Sequence, residues 1–355
     1  MQSDFLNPEK SHVSIKNIRP ASISEWTSIW KQCEYATYFQ SVEWAEIWHA
    51  YTKGKIRLSP FLITFSDGNK AILPLAYKKI FKGLVKLFVL SVEDTYGGWL
   101  SADQLDSRHA VLLVNFIKQK FGNLVWRLNP YDQNVSRIAI PTNWDDETHV
   151  INLASGDFNS VYASMSKHTR QAIKRANKNG IIARLASQPS DWRDYYKAYQ
   201  DNLARWGDKL LGEKYEWSFF KELFQRNSPN IKLWLATLNE NVIGGVLCFS
   251  SKTHVVEWHS SVMNAYYKLG VVDLLICEII KDSIRKGYIW FDFNPSGGLK
   301  GVKRHKEFFG AETLRCPYVL SASGSRLAVE KVGGAFSALR QRFIESNLIR
   351  IKKTV

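Results

Sequence analysis

The segment from Gly287 to Thr313 combines an acid, a glycine-rich turn and a run of cations. Alternating aromatic side chains predict a strand from Tyr288 to Phe293, which contains a single acid, Asp292. A proline and two glycines then favour a tight turn. Such a segment can bring charged groups to the end of a sheet, although a turn followed by a solvated basic segment fits the composition equally well. Candidate substrate contacts in and after this turn are Asn294, Ser296, Gly297, Gly298 and Phe309.

A second group of candidates lies in another predicted strand, which runs from His254 to Ser260. Strand alternation would place Glu257 and His259 on one face and Trp258 on the other. A carboxylate beside an imidazole can serve as a general base and its partner, whereas a purely structural histidine is the alternative. We therefore take His259 as a candidate catalytic residue and Trp258 as a candidate substrate contact.

Cations recur along a predicted helix in the sequence SMSKHTRQAIKRANKNG. Spacings of three and four residues bring Lys167, Arg170 and Lys174 to one face. Because stacked like charges destabilise a helix, an anionic substrate is one explanation for them, and a solvated basic face is the other. The helix dipole would help the cations nearest the N-terminus to hold a phosphate. The candidate phosphate-binding residues are Lys167, Arg170, Lys174 and Arg175.

A predicted strand, a glycine turn at Gly270 and a predicted helix from Asp273 to Lys286 follow one another. The first N–H groups of such a helix can bind an anion. Asp273, however, puts a negative charge in the first turn, where it would repel a pyrophosphate. We interpret Asp273 as a helix cap, which counts against coenzyme A as a donor.

Composition narrows the class of protein. The 355 residues are enough for two domains of ordinary size, and 45% of them are hydrophobic. The formal net charge of +15 predicts an anionic partner: a phosphate-bearing substrate, a nucleic acid or an acidic membrane face. Scattered cysteines and unpaired histidines predict neither a disulfide framework nor a metal site. Because neither a signal peptide nor a membrane-spanning run is visible, we predict a soluble, cytoplasmic protein.

Hydrophobic periodicity and turn signals predict a mixed α/β (α+β) fold whose second half repeats the element order of the first. Strands are predicted from Leu58 to Phe65 and from Ala71 to Lys79, and a turn from Tyr96 to Trp99. One long helical region is predicted from Trp192 to Arg226.

The predicted division of the chain comprises a lead, two domains and a tail. The lead is expected to be disordered. In the tail, an amphipathic basic helix from Ala328 to Val355 would pack across the domains or touch an acidic surface. The predicted bounds are 1–12 for the lead, 13–146 and 147–320 for the domains, and 321–355 for the tail.

The sequence FDFNPSGGLKGVKRHKEFFGAE resembles the Fem-like branch of the GNAT acyltransferase superfamily, as do MSKHTRQAIKRANKNGI, FQSVEWAEIW and DTYGGWL. The resemblance extends from about Val13 to Pro317. It implies two tandem GNAT-like domains, with catalysis in the second. The best-known members transfer amino acids from aminoacyl-tRNA to the amine of a peptidoglycan precursor peptide, so the resemblance implies a cell-envelope acceptor.

The resemblance also implies residue roles. The family's aromatic–lysine pair matches His305 and Lys306, and Lys306 would stabilise the oxyanion that forms during acyl transfer. A histidine replaces the usual phenylalanine at His305, which adds a proton acceptor. The basic helix would hold substrate phosphates. The coiled-coil arm of certain tRNA-using members is not visible, which weakens the case for tRNA.

These observations, with the resemblance, predict an N-acyltransferase that acts on a primary amine of a peptide-like or envelope precursor, or, if the donor is acyl-CoA or an acyl carrier, on a peptide or sugar amine. Lys306 is the predicted oxyanion contact, and His305, Asp292 and His259 are the candidates for moving the proton. No cofactor is predicted. The donor stays open, because aminoacyl-tRNA explains the charge, whereas acyl-CoA or an acyl carrier explains the missing arm.

An alternative of another class is a non-catalytic basic module. It would bind nucleic acid or the membrane periphery through the segment from Lys78 to Lys86. We interpret that segment more simply as two strands joined by a glycine turn.

Overall fold

The computed structural model describes residues 12–80, 83–206 and 214–321. The predicted lead and tail lie outside the described residues, except for His12 and Ser321. Helices alternate with strands in mixed sheets, which confirms the predicted mixed α/β class. No described helix is both long and apolar enough to cross a bilayer.

The first half begins with two capped helices. Ser22 accepts a hydrogen bond from the N–H of Glu25, and Ser41 accepts one from the N–H of Trp44, as expected for helix N-caps. The elements are β1 (Ile15–Pro20), α1 (Ile23–Gln32), α2 (Val42–Tyr51), β2 (Ile56–Leu58), β3 (Phe61–Phe65), β4 (Lys70–Leu73), β5 (Ala76–Ile80), β6 (Val85–Val89), β7 (Tyr96–Gly97), α3 (Ser107–Lys120), β8 (Leu124–Leu128) and α4 (Gln133–Arg137).

Two of the predicted strands were wrong in their extent. The run from Leu58 to Phe65 divides into β2 and β3, and the run from Ala71 to Lys79 divides into β4 and β5. Pro60 and Pro74 lie at the two breaks, and proline lacks the N–H that a continuous strand requires. Strands β2 and β5 belong to one sheet, and strands β3 and β4 belong to another. The chain therefore passes from one sheet to the other at each break.

The second half carries longer strands. The predicted helical region from Trp192 to Arg226 is two helices, with residues 207–213 not described between them. The elements are β9 (Glu147–Asn152), α5 (Phe158–Ser164), α6 (Lys167–Lys178), β10 (Ile182–Leu185), α7 (Pro189–Trp206), α8 (Trp217–Gln225), β11 (Ile231–Leu238), β12 (Asn241–Ser250), β13 (His254–Val262), α9 (Val271–Arg285), β14 (Trp290–Asp292), α10 (Lys300–Glu307), β15 (Glu312–Arg315) and β16 (Tyr318–Ser321).

Within the described residues the strands form three sheets. The order is β1-β3-β4 in one, β16-β8-β6-β5-β2 in the next, with β7 also on β8, and β10-β11-β12-β13-β14-β9-β15 in the last. Along the chain, β9, which starts at Glu147, is the first strand of the sheet that contains β15. Strand β16 pairs with β8, in the sheet of the first half. We propose that the two domains divide near residue 146. Residues 318–321, which form β16, then belong to the sheet of the first half through their pairing with β8.

Strands β13 and β14 run parallel, but they pair over a short length. The paired positions are His254 to Val256 and Trp290 to Asp292. Strand β13 then continues for six residues beyond Val256 without β14 beside it. The sheet therefore opens at this point, between β13 and the turn that follows β14.

The two halves share an aromatic core. Trp48 of α2 packs against Phe219 of α8, with ring centroids 5.3 Å apart. Trp44 packs against Phe249 of β12 at 5.2 Å and against Trp258 of β13 at 5.1 Å. This packing fixes the position of the first half against β13.

Candidate active site

The basic run after the glycine turn forms a helix, α10. Lys306 lies in its last turn and is only 5% exposed. Its ammonium donates a hydrogen bond to the backbone carbonyl of Asn294, at 2.5 Å. Burial lowers the pKa of Lys306 to about 8, although the nearby carboxylates of Glu257 and Asp292 oppose the change. The ammonium therefore faces the interior of the protein and not bulk water.

The turn between β14 and α10 is shaped to present that carbonyl. The N–H of Asn294 donates to Oδ1 of Asp292 at 2.7 Å. Asn294 has a φ of 62°, in the left-handed region that asparagine tolerates. Gly297 and Gly298 follow with φ values of 58° and 73°. The turn thus curls back over the sheet toward Lys306.

Asp292 ties the turn to both halves of the chain. Its side chain is fully buried and accepts hydrogen bonds from Tyr131 at 2.6 Å, Thr148 at 2.6 Å and Tyr96 at 3.4 Å. Burial raises the pKa of this carboxyl, while these hydrogen bonds oppose the rise. Because Oδ1 accepts from three donors and Oδ2 from Tyr131, Asp292 is suited to positioning the turn.

The predicted arrangement of Glu257, Trp258 and His259 was wrong, because a β-bulge interrupts the alternation. Cys248 pairs with Glu257, and the next residue back on β12, Leu247, pairs with His259. Trp258 is the extra residue. It therefore lies with His259 on one side of the sheet, while Glu257 lies on the other.

His259 sits among tyrosines of α7. Its Nδ1 is 2.6 Å from the hydroxyl of Tyr195, and its ring centroid is 4.8 Å from that of Tyr199. Burial lowers the pKa of His259 to about 4. Trp258 belongs to the shared aromatic core. The structure therefore separates His259 and Trp258 from Lys306.

Glu257 is the carboxylate that faces Lys306. It is partly buried on β13, one residue past the last position that pairs with β14. Burial raises the pKa of Glu257, the ammonium of Lys306 lowers it, and the charge of Asp292 raises it. A carboxylate with a raised pKa on β13 thus lies within electrostatic range of an ammonium with a lowered pKa on α10.

His305 projects from another side of α10. Its ring makes an edge contact with Phe309 at 5.3 Å, and Phe309 itself is fully buried in the core. The Nε2 of His305 is buried and has no hydrogen-bond partner among the described residues. Burial lowers the pKa of His305, while Asp273, in the first turn of α9, opposes the change. The hydroxyl of Ser296 is likewise buried and unpaired within the described chain.

The cations of the predicted phosphate helix point mainly to solvent. Lys167, Lys174 and Arg175 are exposed on α6. Arg170 is partly buried, and its guanidinium donates to the backbone carbonyls of Ala163, at 2.9 Å, and Met165, so it closes the preceding helix. Helix α6 is joined to α10 through its N-terminus, where the N–H of Ser166 and the hydroxyl of Thr169 donate to the carbonyl of Phe308.

Sequence reasoning missed residues that complete the site. Tyr131 and Thr148 hold Asp292 but carry no local signal, whereas Tyr96 lies in the motif DTYGGWL. His149, on β9, is fully buried, and neither ring nitrogen has a partner among the described residues. Burial and the charge of Lys306 lower its pKa. No group of three potential metal ligands occurs in the part of the chain that is described.

Comparison with known proteins identifies the domain around this site. Residues 163–307 match the family model of the acetyltransferase (GNAT) domain. The second half of the chain contains a GNAT domain. The matched residues include Glu257, Asp292 and Lys306, and a GNAT domain is an acyltransferase domain, which confirms the predicted enzyme class.

Solved structures show the same fold over most of the chain. FemX shares 11% identity, with a TM-score of 0.67 over 85% of this chain and 96% of that one. The C-terminal domain of a putative lysylphosphatidylglycerol synthetase from Agrobacterium fabrum shares 12%, with a TM-score of 0.54 over 88% and 97%. L-PGS from Bacillus licheniformis shares 11%, with a TM-score of 0.50 over 75% and 85%. The Fem-like resemblance is therefore confirmed in the fold. A search of curated proteins by sequence finds no match.

Proposed function

We propose that this GNAT protein is an N-acyltransferase of the Fem-like type, which transfers an aminoacyl or acyl group to a primary amine of a peptide-like or cell-envelope precursor. The observation that carries the proposal is the mutual effect of the Glu257 and Lys306 charges on each other's pKa, with Glu257 on β13 just past its pairing with β14. Acyl transfer to an amine needs one group that removes a proton and one that stabilises an oxyanion. The two residues supply both.

The proposed reaction places the donor carbonyl in the opening of the sheet. The amine nitrogen attacks the carbonyl carbon, a C–N bond forms, and the electron pair of the broken C–O or C–S bond leaves with the donor. Glu257 accepts the proton that the nitrogen loses, and this proton is then passed to the leaving group. Lys306 offers its ammonium to the oxyanion, because the Asn294 carbonyl holds it in place.

Asp292 and His305 take supporting roles in this proposal. Asp292 orders the turn that fixes the Asn294 carbonyl, so it acts on the reaction through Lys306. The unpaired Nε2 of His305 lies near the N-terminus of α9, beside Asp273, and is available to a donor or acceptor group. His259 takes no part, because it lies on the opposite side of the bulged strand.

An aminoacyl donor is favoured over acyl-CoA. Asp273 places a negative charge in the first turn of α9, where a pyrophosphate would need positive potential. One structural neighbour is named as a putative lysylphosphatidylglycerol synthetase, a name that joins an amino acid to an envelope lipid. The exposed cations of α6 offer phosphate contacts to a tRNA or to a phosphate-bearing acceptor.

The test incubates the full-length protein with charged tRNA or with acyl-CoA, and with amine-bearing envelope precursor peptides, and detects products by mass spectrometry. We expect an acylated amine with charged tRNA. Lys306→Ala should lose turnover and retain donor binding. Equal turnover in wild type and Lys306→Ala would overturn the catalytic proposal, and product with acyl-CoA alone would overturn the choice of donor.

A further inference from the structure

Strand β13 carries two partly buried polar side chains, Glu257 and Ser260, beyond the last position that pairs with β14. Residues three apart in a regular strand lie on opposite faces of the sheet. The β-bulge changes this, because Trp258 is an extra residue between the two. Glu257 pairs with Cys248 on β12. Ser260 pairs with Val246, two residues before Cys248, so both pairs lie on one face of the sheet.

Packing on β12 identifies this face. Val246 and Cys248 belong to the hydrophobic core that the sheet forms with helix α9. Leu247, between them, packs into the aromatic core on the other side of the sheet. Glu257 and Ser260 therefore lie together on the face that α9 covers, although they are three residues apart in the chain.

The hydroxyl of Ser260 acts on the Glu257 carboxylate. Burial raises the pKa of Glu257, the ammonium of Lys306 lowers it, and the hydroxyl of Ser260 lowers it through a side-chain hydrogen bond. A hydroxyl that donates to a carboxylate stabilises the ionised form, which is the form that can accept a proton. The titratable groups whose charges interact with this carboxylate lie on four elements: Lys306 on α10, Asp292 on β14, Cys248 on β12 and Tyr195 on α7.

We propose that Ser260 is a positioning residue for the base of the acyl transfer: its hydroxyl donates to one carboxylate oxygen of Glu257, fixes the side-chain rotamer and leaves the second oxygen for the attacking amine. This inference rests on the function proposed above, in which Glu257 takes the proton from the amine. Ser260 keeps its own proton throughout.

The physical gain is the loss of side-chain freedom before the reaction begins. A glutamate side chain has several rotatable bonds, and a hydrogen bond from the same strand restricts them in the free enzyme instead of in the transition state. The bulge is therefore part of the site. Trp258 anchors the extra residue in the aromatic core, and this brings Ser260 to the face of Glu257.

The first test compares pH profiles of the full-length protein, with the charged tRNA and precursor peptide that support turnover. In Ser260→Ala the acid limb of kcat/KM should move to higher pH by about one pH unit, because Glu257 loses a hydrogen bond to its ionised form. On the plateau, kcat should fall by about 10- to 100-fold through misplacement of the base. Ser260→Thr keeps the hydroxyl and should restore both quantities.

Ser261→Ala is the matched control. Ser261 is the next residue on β13, and its hydroxyl accepts a hydrogen bond from Asn202 of α7, on the opposite face of the sheet, at 3.4 Å. The same loss of a hydroxyl at this position should leave the pH profile of the wild type unchanged.

A second measurement needs no substrate. Carbon-13 NMR of protein labelled at the glutamate carboxyl carbons follows the titration of Glu257, whose signal is identified by its loss in Glu257→Gln. The pKa of Glu257 should be higher in Ser260→Ala than in the wild type, Ser260→Thr or Ser261→Ala. If Ser260→Ala does not fold, Ser260→Cys should change the pKa in the same direction, because a thiol of similar size is a weak donor.

Two results would overturn the proposal. One is an unchanged pKa of Glu257 in folded Ser260→Ala. The other is a raised pKa with wild-type kcat and an unmoved acid limb, which would make the hydrogen bond structural only. A failure of the proposed function gives a different result, since Glu257→Gln would then keep full turnover. The NMR titration would still report whether Ser260 contacts the carboxylate.

Discussion

The ammonium of Lys306 and the backbone carbonyl of Asn294 form the contact that joins helix α10 to the turn after β14. The same Asn294 donates its N–H to Asp292, so a single residue connects the buried lysine to the buried acid. This arrangement leaves Lys306 charged but enclosed, with Glu257 and Asp292 as the main opposing charges. The effect of this contact on turnover and its effect on the free energy of unfolding can be measured separately.

Replacement of Lys306 by methionine keeps the length of the side chain and removes its charge. We expect kcat to fall by about 10²- to 10³-fold, the effect of losing one preorganised oxyanion contact. KM for the donor should change little. Steady-state kinetics with a charged donor measure both quantities, and a rise in KM with unchanged kcat would assign Lys306 to ground-state binding instead.

The pKa of Lys306 also predicts how stability depends on pH. Its folded pKa, about 8, is below the unfolded value, so the unfolded chain binds more protons between these two values. The free energy of unfolding of the wild type should therefore rise by about 2 to 3 kcal/mol relative to Lys306→Met between pH 7 and pH 10. Urea unfolding of both proteins across this range measures the difference, and parallel curves would contradict the assignment.

Glu257→Gln tests the proposed base. The substitution should lower kcat by about 10²- to 10⁴-fold, because it removes proton transfer and preserves the shape of the side chain. In the wild type, kcat/KM should fall as acid protonates Glu257, and the raised pKa puts this fall above the range of an ordinary glutamate. The variant should lack this acid limb. Glu147→Gln is the control, since Glu147 pairs with Lys303 at the rim and should keep the limb.

Much of the site was predictable where the signal is local. The segment from Gly287 to Thr313 predicted strand β14, with Asp292 inside it. The helical state of α10 was missed because a glycine at its second position and a preceding glycine-rich turn resemble a loop.

Other features depend on distant parts of the chain. The bulge at Trp258 comes from the register of β13 against β12, so the sequence of β13 alone predicted the wrong faces for Glu257 and His259. Asp292 accepts a hydrogen bond from Tyr96, which is 196 residues away in sequence, and a local sequence pattern cannot predict such a contact. Tertiary packing decided both features.

His259→Gln separates the two histidine hypotheses. Because His259 lies on the opposite side of the strand from Lys306, we expect kcat to change by less than about tenfold, well below the loss of a general base.

The substitution should instead change how the free energy of unfolding depends on pH. The folded pKa of about 4 is lower than that of the unfolded histidine, so the wild type loses stability as pH falls below the unfolded value. Between pH 7 and pH 4 this loss should be roughly 2 to 3 kcal/mol greater in wild type than in the variant. A variant without activity would restore His259 as the base.

Gly270→Ala tests how closely α9 must approach α6. Gly270 has a φ of 79°, and a β-carbon there would lie 2.4 Å from the backbone carbonyl oxygen of Ala172. The variant should therefore carry both the cost of a left-handed backbone and a clash with backbone that cannot rotate away, about 3 kcal/mol or more in total. Gly287→Ala is the matched control, since its φ is 75° and no atom lies within 4 Å of the added carbon. It should lose only about 1 kcal/mol.

Because α9 begins beside His305, Gly270→Ala should also shift the KM of the donor, whereas Gly287→Ala should not. Equal losses of stability in the two variants, measured by urea unfolding, would mean that the helices separate readily and that their close contact is dispensable.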